Sequence, residues 1–234
     1  MLRPGAAAPA RAATVPTAAT DAHVPVDRLR FPRREDRSRY IVERFGRFLA
    51  DSVLDVGCDR AALRDLLPRV RYTGIDLGGT PDITIDLERA DRLPFDAAAF
   101  RCVVCSDVLE HLDNLHAVFG ELLRVAGRHV VLSLPNCWVN ARVPIQRGRG
   151  DFAHYGLPLD RPADRHKWFF NLQQAREFVH GQAARRGDFR VVDERINEKP
   201  KPWPVRLLRR VRCLSRRRYL NRYAHTFWAV LELA

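Results

Sequence analysis

No apolar run in this chain reaches the roughly 18–20 residues needed to cross a bilayer, because arginine, proline or an acid interrupts every candidate. A helical membrane span is therefore excluded, and the expected location is cytoplasmic, with peripheral attachment to a membrane left open. Residues 1–23 also lack the unbroken apolar stretch of a signal peptide, since Pro4, Pro9 and Pro16 cut it. That segment is rich in Ala, Pro and Thr and is expected to be a disordered leader. A cysteine framework is missing too. The 5 cysteines, Cys58, Cys102, Cys105, Cys137 and Cys213, are odd in number and irregular in spacing, which points to free thiols in a reducing compartment. Cys102 and Cys105 have the spacing of a chelating pair but fall in a strand-like run, where an offset of three sends side chains to opposite faces. Buried strand thiols are the expectation, and no metal site is expected.

Acids are scarce in one place above all. Between Arg195 and Arg222 the sequence sets Arg195, Lys199, Lys201, Arg206, Arg209, Arg210, Arg212, Arg216, Arg217, Arg218 and Arg222 against the single acid Glu198. This arm, about 198–222, carries most of the formal net charge of +12 and marks an anionic partner. Leu207, Leu208, Val211 and Leu214 recur at helical spacing within it. A basic amphipathic helix starting after Pro204 is expected, suited to an anionic membrane surface, with nucleic acid as the weaker alternative.

What remains is a chain of 234 residues and 46% hydrophobic composition, enough to bury one large core. Residues 24–234 are expected to form a single domain. Ile41, Phe45, Phe48 and Leu49 make the stripe of a helix over Arg37 to Ala50. Strand-like runs follow at Ser52 to Val56, Arg71 to Ile75, Ile83 to Ile85, Arg101 to Ser106 and His129 to Leu134. Between them lie helical segments at Ala61 to Leu67 and about Asn114 to Val125. Short apolar strands alternating with helices indicate a Rossmann-like doubly wound α/β fold with a mostly parallel sheet. After Pro135 the rhythm breaks, leaving a long insert at about 137–170 on the substrate side. Asn171, with Gln174 three residues on, caps a helix that runs to about Gly187. Phe189 to Arg195 and Ala224 to Leu233 read as closing strands.

In such sheets ligands sit beyond the carboxyl ends of the strands. Asp55-Val56-Gly57-Cys58 follows the first of these strands, and Gly57 lets the backbone turn and approach a ligand. Asp76 ends the next strand 19 positions after Gly57, near the roughly 20-residue spacing at which an acid meets ribose hydroxyls. A NAD fingerprint starting at Gly57 would need glycine where Asp59 and Ala62 stand.

Val53-Leu54-Asp55-Val56-Gly57-Cys58, then Tyr72-Thr73-Gly74-Ile75-Asp76, Leu93-Pro94-Phe95 and Asp107-Val108-Leu109-Glu110-His111 together resemble the successive motifs of class I S-adenosylmethionine (SAM)-dependent methyltransferases. The resemblance extends from about Ser52 to Asn136. It implies a seven-stranded sheet whose last strand is antiparallel. It also implies that Asp55, Gly57, Cys58 and Asp59 cradle the methionine part of SAM, and that Asp76, followed by Leu77, binds the ribose. Asp86 and Leu87 would flank the adenine, with Asp91 as a rival, and Ser106 and Asp107 would line the face shared by cofactor and substrate. The family shows glycine at three alternate positions after the first strand, and here two of them are Asp59 and Ala61.

Methyl transfer from a sulfonium requires alignment of nucleophile and methyl and exclusion of water, and a hydroxyl nucleophile also gains from a base. His111, His154 and His166 are the candidates. The resulting expectation is O-methylation of a small-molecule, glycan or lipid-linked acceptor. The alternatives are a catalytically silent scaffold of the same fold and an RNA methyltransferase.

Overall fold

The computed structural model describes residues 24–234 apart from 153, 161 and 163. The leader expected over 1–23 lies outside the described residues. Eight strands form one sheet: β1 (Val26–Arg28), β2 (Ser52–Val56), β3 (Arg71–Asp76), β4 (Ile83–Thr84), β5 (Phe100–Ser106), β6 (Ala126–Pro135), β7 (Phe189–Glu198) and β8 (Ala224–Leu233). Their order across the sheet is β1-β7-β8-β6-β5-β2-β3-β4. β2 pairs in parallel with both β3 and β5, whereas β8 runs antiparallel to both β6 and β7. Strand order thus reverses at β2, which places the ligand crevice beyond its carboxyl end.

The doubly wound fold and the antiparallel last strand are as expected, but the strand count is eight rather than seven. The extra strand is β1, a short edge piece pairing in parallel with β7. Three residues, Val-Asp-Arg, carry no alternation from which a strand can be read.

The helices are α1 (Arg34–Phe45), α2 (Ala62–Leu66), α3 (Leu115–Val125), α4 (Cys137–Arg147), α5 (Leu172–Arg186), α6 (Trp203–Arg212) and α7 (Arg216–Tyr223). α3 buries Leu115, Val118, Phe119, Leu122, Leu123 and Val125 on one side of the sheet. Fully burying such a side chain is worth about 1.5–3 kcal/mol. α1 sets Tyr40, Ile41 and Phe45 against Trp228 on the other side. Cys102 joins that second cluster and Cys105 the first, so the two thiols do face apart. All five cysteines are free and buried. α5 carries the expected reciprocal cap between Asn171 and Gln174, and it stops at Gly187, whose φ of 71° is left-handed.

Two expectations are corrected. The insert is not irregular throughout, because α4 occupies its first part even though it contains Pro144. The arm is not one helix but two, broken at Cys213 to Ser215, and α6 already begins at Trp203, with Pro204 inside its first turn, where a missing N–H costs nothing.

Candidate active site

The loop after β2 is held by paired backbone bonds: Gly57 N–H and Cys58 N–H both donate to Ile75 O, at 2.8 and 3.3 Å. Gly57 has a φ of 77°, and a Cβ there would strike Val108 Cγ2. Asp59 and Ala61 also adopt left-handed backbone, with φ of 48° and 53°. The chain therefore keeps the geometry of a glycine-rich loop with side chains on it. That geometry costs a non-glycine residue roughly 1–2 kcal/mol, with aspartate better tolerated than most.

Asp76, at the end of β3, clamps this loop. Its Oδ2 accepts from Asp59 N–H at 2.8 Å, and its Oδ1 accepts from Leu77 N–H at 2.6 Å and Gly78 N–H at 3.3 Å. Leu77 is 64% exposed, an apolar side chain left at the mouth of the crevice. Beneath the loop, burial pushes the Asp55 carboxyl up to about 6, partly opposed by the Tyr72 hydroxyl, which donates to it at 2.7 Å. Burial also pushes the neighbouring Cys58 thiol up to about 12, so it is a neutral packing group.

Asp86 accepts from Glu88 N–H at 3.0 Å and caps the turn after β4. Leu87 is buried in the core, so its side chain is not free to flank a ligand as expected. Asp91 is exposed.

At the end of β5 a polar chain runs across the sheet edge. Ser106 Oγ lies 3.0 Å from Ser133 Oγ, and Ser133 donates to Asp107 Oδ1 at 2.5 Å. Ser133 has a single proton and spends it on the carboxylate, so Ser106 donates to Ser133. Arg37 closes the chain at 2.8 Å from Asp107 Oδ2, while Arg34 lies 3.0 Å from Asp59 Oδ2. Thus the amino end of α1 neutralises two acids of the crevice. Sequence reasoning gave neither arginine a role; the only signal was their spacing of three on one helix face.

The three histidines meet. The turn Leu109–His111 follows β5, and the far end of the insert is strapped to it. Lys167 N–H donates to Glu110 O at 2.8 Å, Trp168 Nε1 donates to Leu112 O at 2.7 Å, and Lys167 Nζ lies 2.8 Å from Glu88 and 2.9 Å from Asp113. These contacts bring the ring centroids of His111 and His166 to 4.5 Å, those of His111 and His154 to 5.7 Å, and stack His154 on His166 at 4.4 Å. Asp164 lies 2.7 Å from His111 Nδ1 and 3.3 Å from His154 Nδ1. Burial holds the His111 ring below its usual range and takes His166 down to about 4, so both rings are neutral at physiological pH. Glu110 is fully buried, and that burial together with the Asp107 charge raises its carboxyl well above the usual range. No individual role for Asp164, Tyr155 or Glu110 was read from the sequence, although Glu110 stands inside a quoted motif and the other two inside the insert.

Residues 30–226 match the family described as methyltransferase domain. The chain belongs to that family. The motif resemblance to class I SAM-dependent methyltransferases accordingly holds, and the fold agrees. Magnesium protoporphyrin IX methyltransferase from Synechocystis PCC 6803, solved with bound SAH, is 16% identical, with 86% of this chain and 83% of that one covered at a TM-score of 0.50. A SAM-dependent methyltransferase from Archaeoglobus fulgidus is 12% identical over 85% of this chain and 94% of that one, at 0.51. The small RNA methyltransferase HEN1 is 18% identical over 85% of this chain and 25% of that one, at 0.52. No curated protein matches the chain.

Proposed function

We propose that this methyltransferase moves the methyl group of SAM to a hydroxyl oxygen of a small-molecule, glycan or lipid-linked acceptor. The observation that carries the reading is the cluster of His111, His154, His166 and Asp164 beside Asp107, at the carboxyl edge where strand order reverses. SAM supplies an activated methyl on a sulfonium; the chain has to hold both reactants in line and accept one proton.

The crevice suits that cofactor. An ionised carboxylate offers about four acceptor positions, and on Asp76 three backbone donors approach, the Gly78 contact being the longest at 3.3 Å. Ribose hydroxyls can use the free position and displace that contact. Exposed Leu77 offers an apolar patch beside it for a purine, and with Arg34 on Asp59 and Arg37 on Asp107, Asp76, met by backbone N–H groups, is the acid left to face a cationic ligand. On the acceptor side, an imidazole whose Nδ1 faces Asp164 has its other ring nitrogen available to take a hydroxyl proton.

Titration calorimetry with SAM and S-adenosylhomocysteine tests the cofactor half. Saturable heat, weakened at least tenfold by Asp76→Ala, is expected. No heat from the wild type at millimolar ligand removes the enzymatic reading and leaves the silent scaffold.

The arm supports a lipid-linked acceptor among the three classes. On α6 the side chains turned toward the protein are Arg206 and Arg209, with Cys213 buried in the break that follows, while Trp203, Leu207, Leu208 and Val211 on the helix and Leu214 just after it are 51–85% exposed. Apolar residues outward with arginines at their borders match an interface of apolar core and anionic headgroups. Among the described residues no helix is long and apolar enough to cross a membrane, so the contact proposed is peripheral.

A further inference from the structure

Glu110 is 0% exposed, and neither of its carboxylate oxygens has a hydrogen-bond partner. A buried carboxylate without a donor is costly by several kcal/mol, so native proteins supply it with a proton, a cation or a metal. The Arg37 guanidinium acts on it without a hydrogen bond, and the ring atoms that face it present lone pairs. Asp164 Oδ1 sits 2.7 Å from His111 Nδ1; an ionised carboxylate only accepts, so that nitrogen carries the proton and Nε2 does not. His111 Nε2 is the atom facing Glu110, 3.8 Å from Oε1.

His166 is fixed in the same sense. The Tyr155 hydroxyl donates to Trp168 O at 2.8 Å and lies 3.1 Å from His166 Nδ1. Its one proton is spent on the carbonyl, so it accepts from Nδ1–H, and the unprotonated nitrogen of His166 is Nε2. One ligand atom from each of Glu110, His111 and His166 lies within 4.8 Å of the others.

We propose that Glu110, His111 and His166 bind one divalent transition-metal cation, and that a hydroxyl oxygen of the acceptor completes its coordination. The second half rests on the methyl-transfer reading and the first does not. One carboxylate and two imidazoles suit zinc, cobalt, iron or nickel, whereas magnesium and calcium favour oxygen donors throughout. Three protein ligands leave a position open, as in metal sites that bind substrate. Ligands on a tetrahedral zinc stand about 3.3 Å apart, so the three side chains close in by an ångström or so as the cation enters. Asp164 behind His111 and Tyr155 behind His166 are the outer partners that orient ligating imidazoles.

His154 is then the free base. It stacks on His166, and its Nδ1 faces Asp164, which leaves Nε2 to accept. The acceptor O–H bond breaks with its proton going to His154, the oxygen forms a C–O bond with the methyl carbon, and the S–CH3 electron pair stays on sulfur, giving S-adenosylhomocysteine.

The experiment uses the whole chain stripped of metal and titrated with cobalt, followed by visible absorption and calorimetry, with S-adenosylhomocysteine binding measured in parallel. One cobalt per chain with a visible band is expected, displaced by zinc, and weakened tenfold or more in both Glu110→Gln and His166→Gln. His166 lies in the insert, so its variant keeps the test alive if Glu110→Gln does not fold. Absence of cobalt binding by the wild type, or equal binding by the variants, overturns the site and assigns the three lone pairs to a shared proton. Binding of S-adenosylhomocysteine without cobalt leaves the methyltransferase standing; cobalt without S-adenosylhomocysteine does the reverse. Catechol serves as the hydroxyl probe: a shift of the cobalt band supports the open position, and an unchanged band at millimolar catechol overturns the hydroxyl half.

Discussion

At Ala61 the sequence breaks a glycine pattern and the backbone does not follow: the φ of 53° is what glycine would have adopted. Three effects of Ala61→Gly oppose one another. Releasing left-handed strain gains roughly 1–2 kcal/mol. Removing a methyl that is 97% buried loses about 0.8 kcal/mol. Added chain entropy in the unfolded state costs a further 0.5–1 kcal/mol or so. The variant is therefore expected to unfold within about 1 kcal/mol of wild type, whereas Ala61→Val, β-branched in the same conformation, loses more than about 2 kcal/mol. Urea unfolding of both variants measures this; a large loss in Ala61→Gly would mean that the methyl, not the backbone, shapes the loop. The place of Asp76 at the carboxyl end of β3 was readable from the same stretch of sequence, because the end of a strand follows from a local pattern. The burial of Leu87 was not, since the turn capped by Asp86 decides which way that side chain points.

Among the elements, those with a clean period were legible and those defined by a partner were not. The α3 stripe and the Asn171 to Gln174 cap could be read from the sequence because each is complete within about a dozen residues. β1 exists only because β7 offers it an edge, and α4 carries a proline that argues against a helix. The arm shows both cases. Its apolar spacing was visible, but the acid Glu198 looked like a stray residue in a basic run. In fact Glu198 is 1% exposed and gathers the Tyr219 hydroxyl at 2.6 Å, Arg209 at 3.5 Å and Arg28 at 3.8 Å. Arg209 also lies 4.3 Å over the Tyr223 ring. Those anchors turn the arginine side of α6 inward and leave the apolar side facing out. Each basic residue near an anionic leaflet is worth on the order of 1 kcal/mol. Sedimentation with vesicles containing phosphatidylserine should therefore carry down wild type, with neutral vesicles leaving it in solution. Changing the exposed Arg210, Arg212, Arg217 and Arg218 to Glu should abolish the effect without touching the buried anchor. Equal sedimentation of the two proteins sinks the membrane reading, and a steep salt-dependent affinity for RNA in its place would move the arm to nucleic acid.

Across the whole molecule the proposed acceptor side depends on contacts between segments far apart in sequence, which no local pattern encodes. His111, His154 and His166 were each readable as candidate bases, yet their convergence rests on an insert being tied back to the turn after β5. Besides the Asp164 contact with the His111 ring, the ties include two backbone bonds to Glu110 O from Lys167 and Trp168, the Trp168 indole on Leu112 O, and the Lys167 ammonium between Glu88 and Asp113. The ammonium pairs are partly exposed and worth less than about 1 kcal/mol. The indole bond reaches a buried carbonyl, and removing its donor costs about 1–3 kcal/mol. Trp168→Phe keeps the ring and deletes that donor, so it should loosen the insert while leaving the β2 loop and Asp76 unaffected. The expected signature is faster proteolysis within residues 148–166 and loss of acceptor affinity or turnover, with S-adenosylhomocysteine binding within twofold of wild type. Lys167→Ala should do the same more weakly. If Trp168→Phe weakens S-adenosylhomocysteine as much as it loosens the insert, the two halves of the site are one cooperative unit, and the separation of cofactor crevice from acceptor cluster fails.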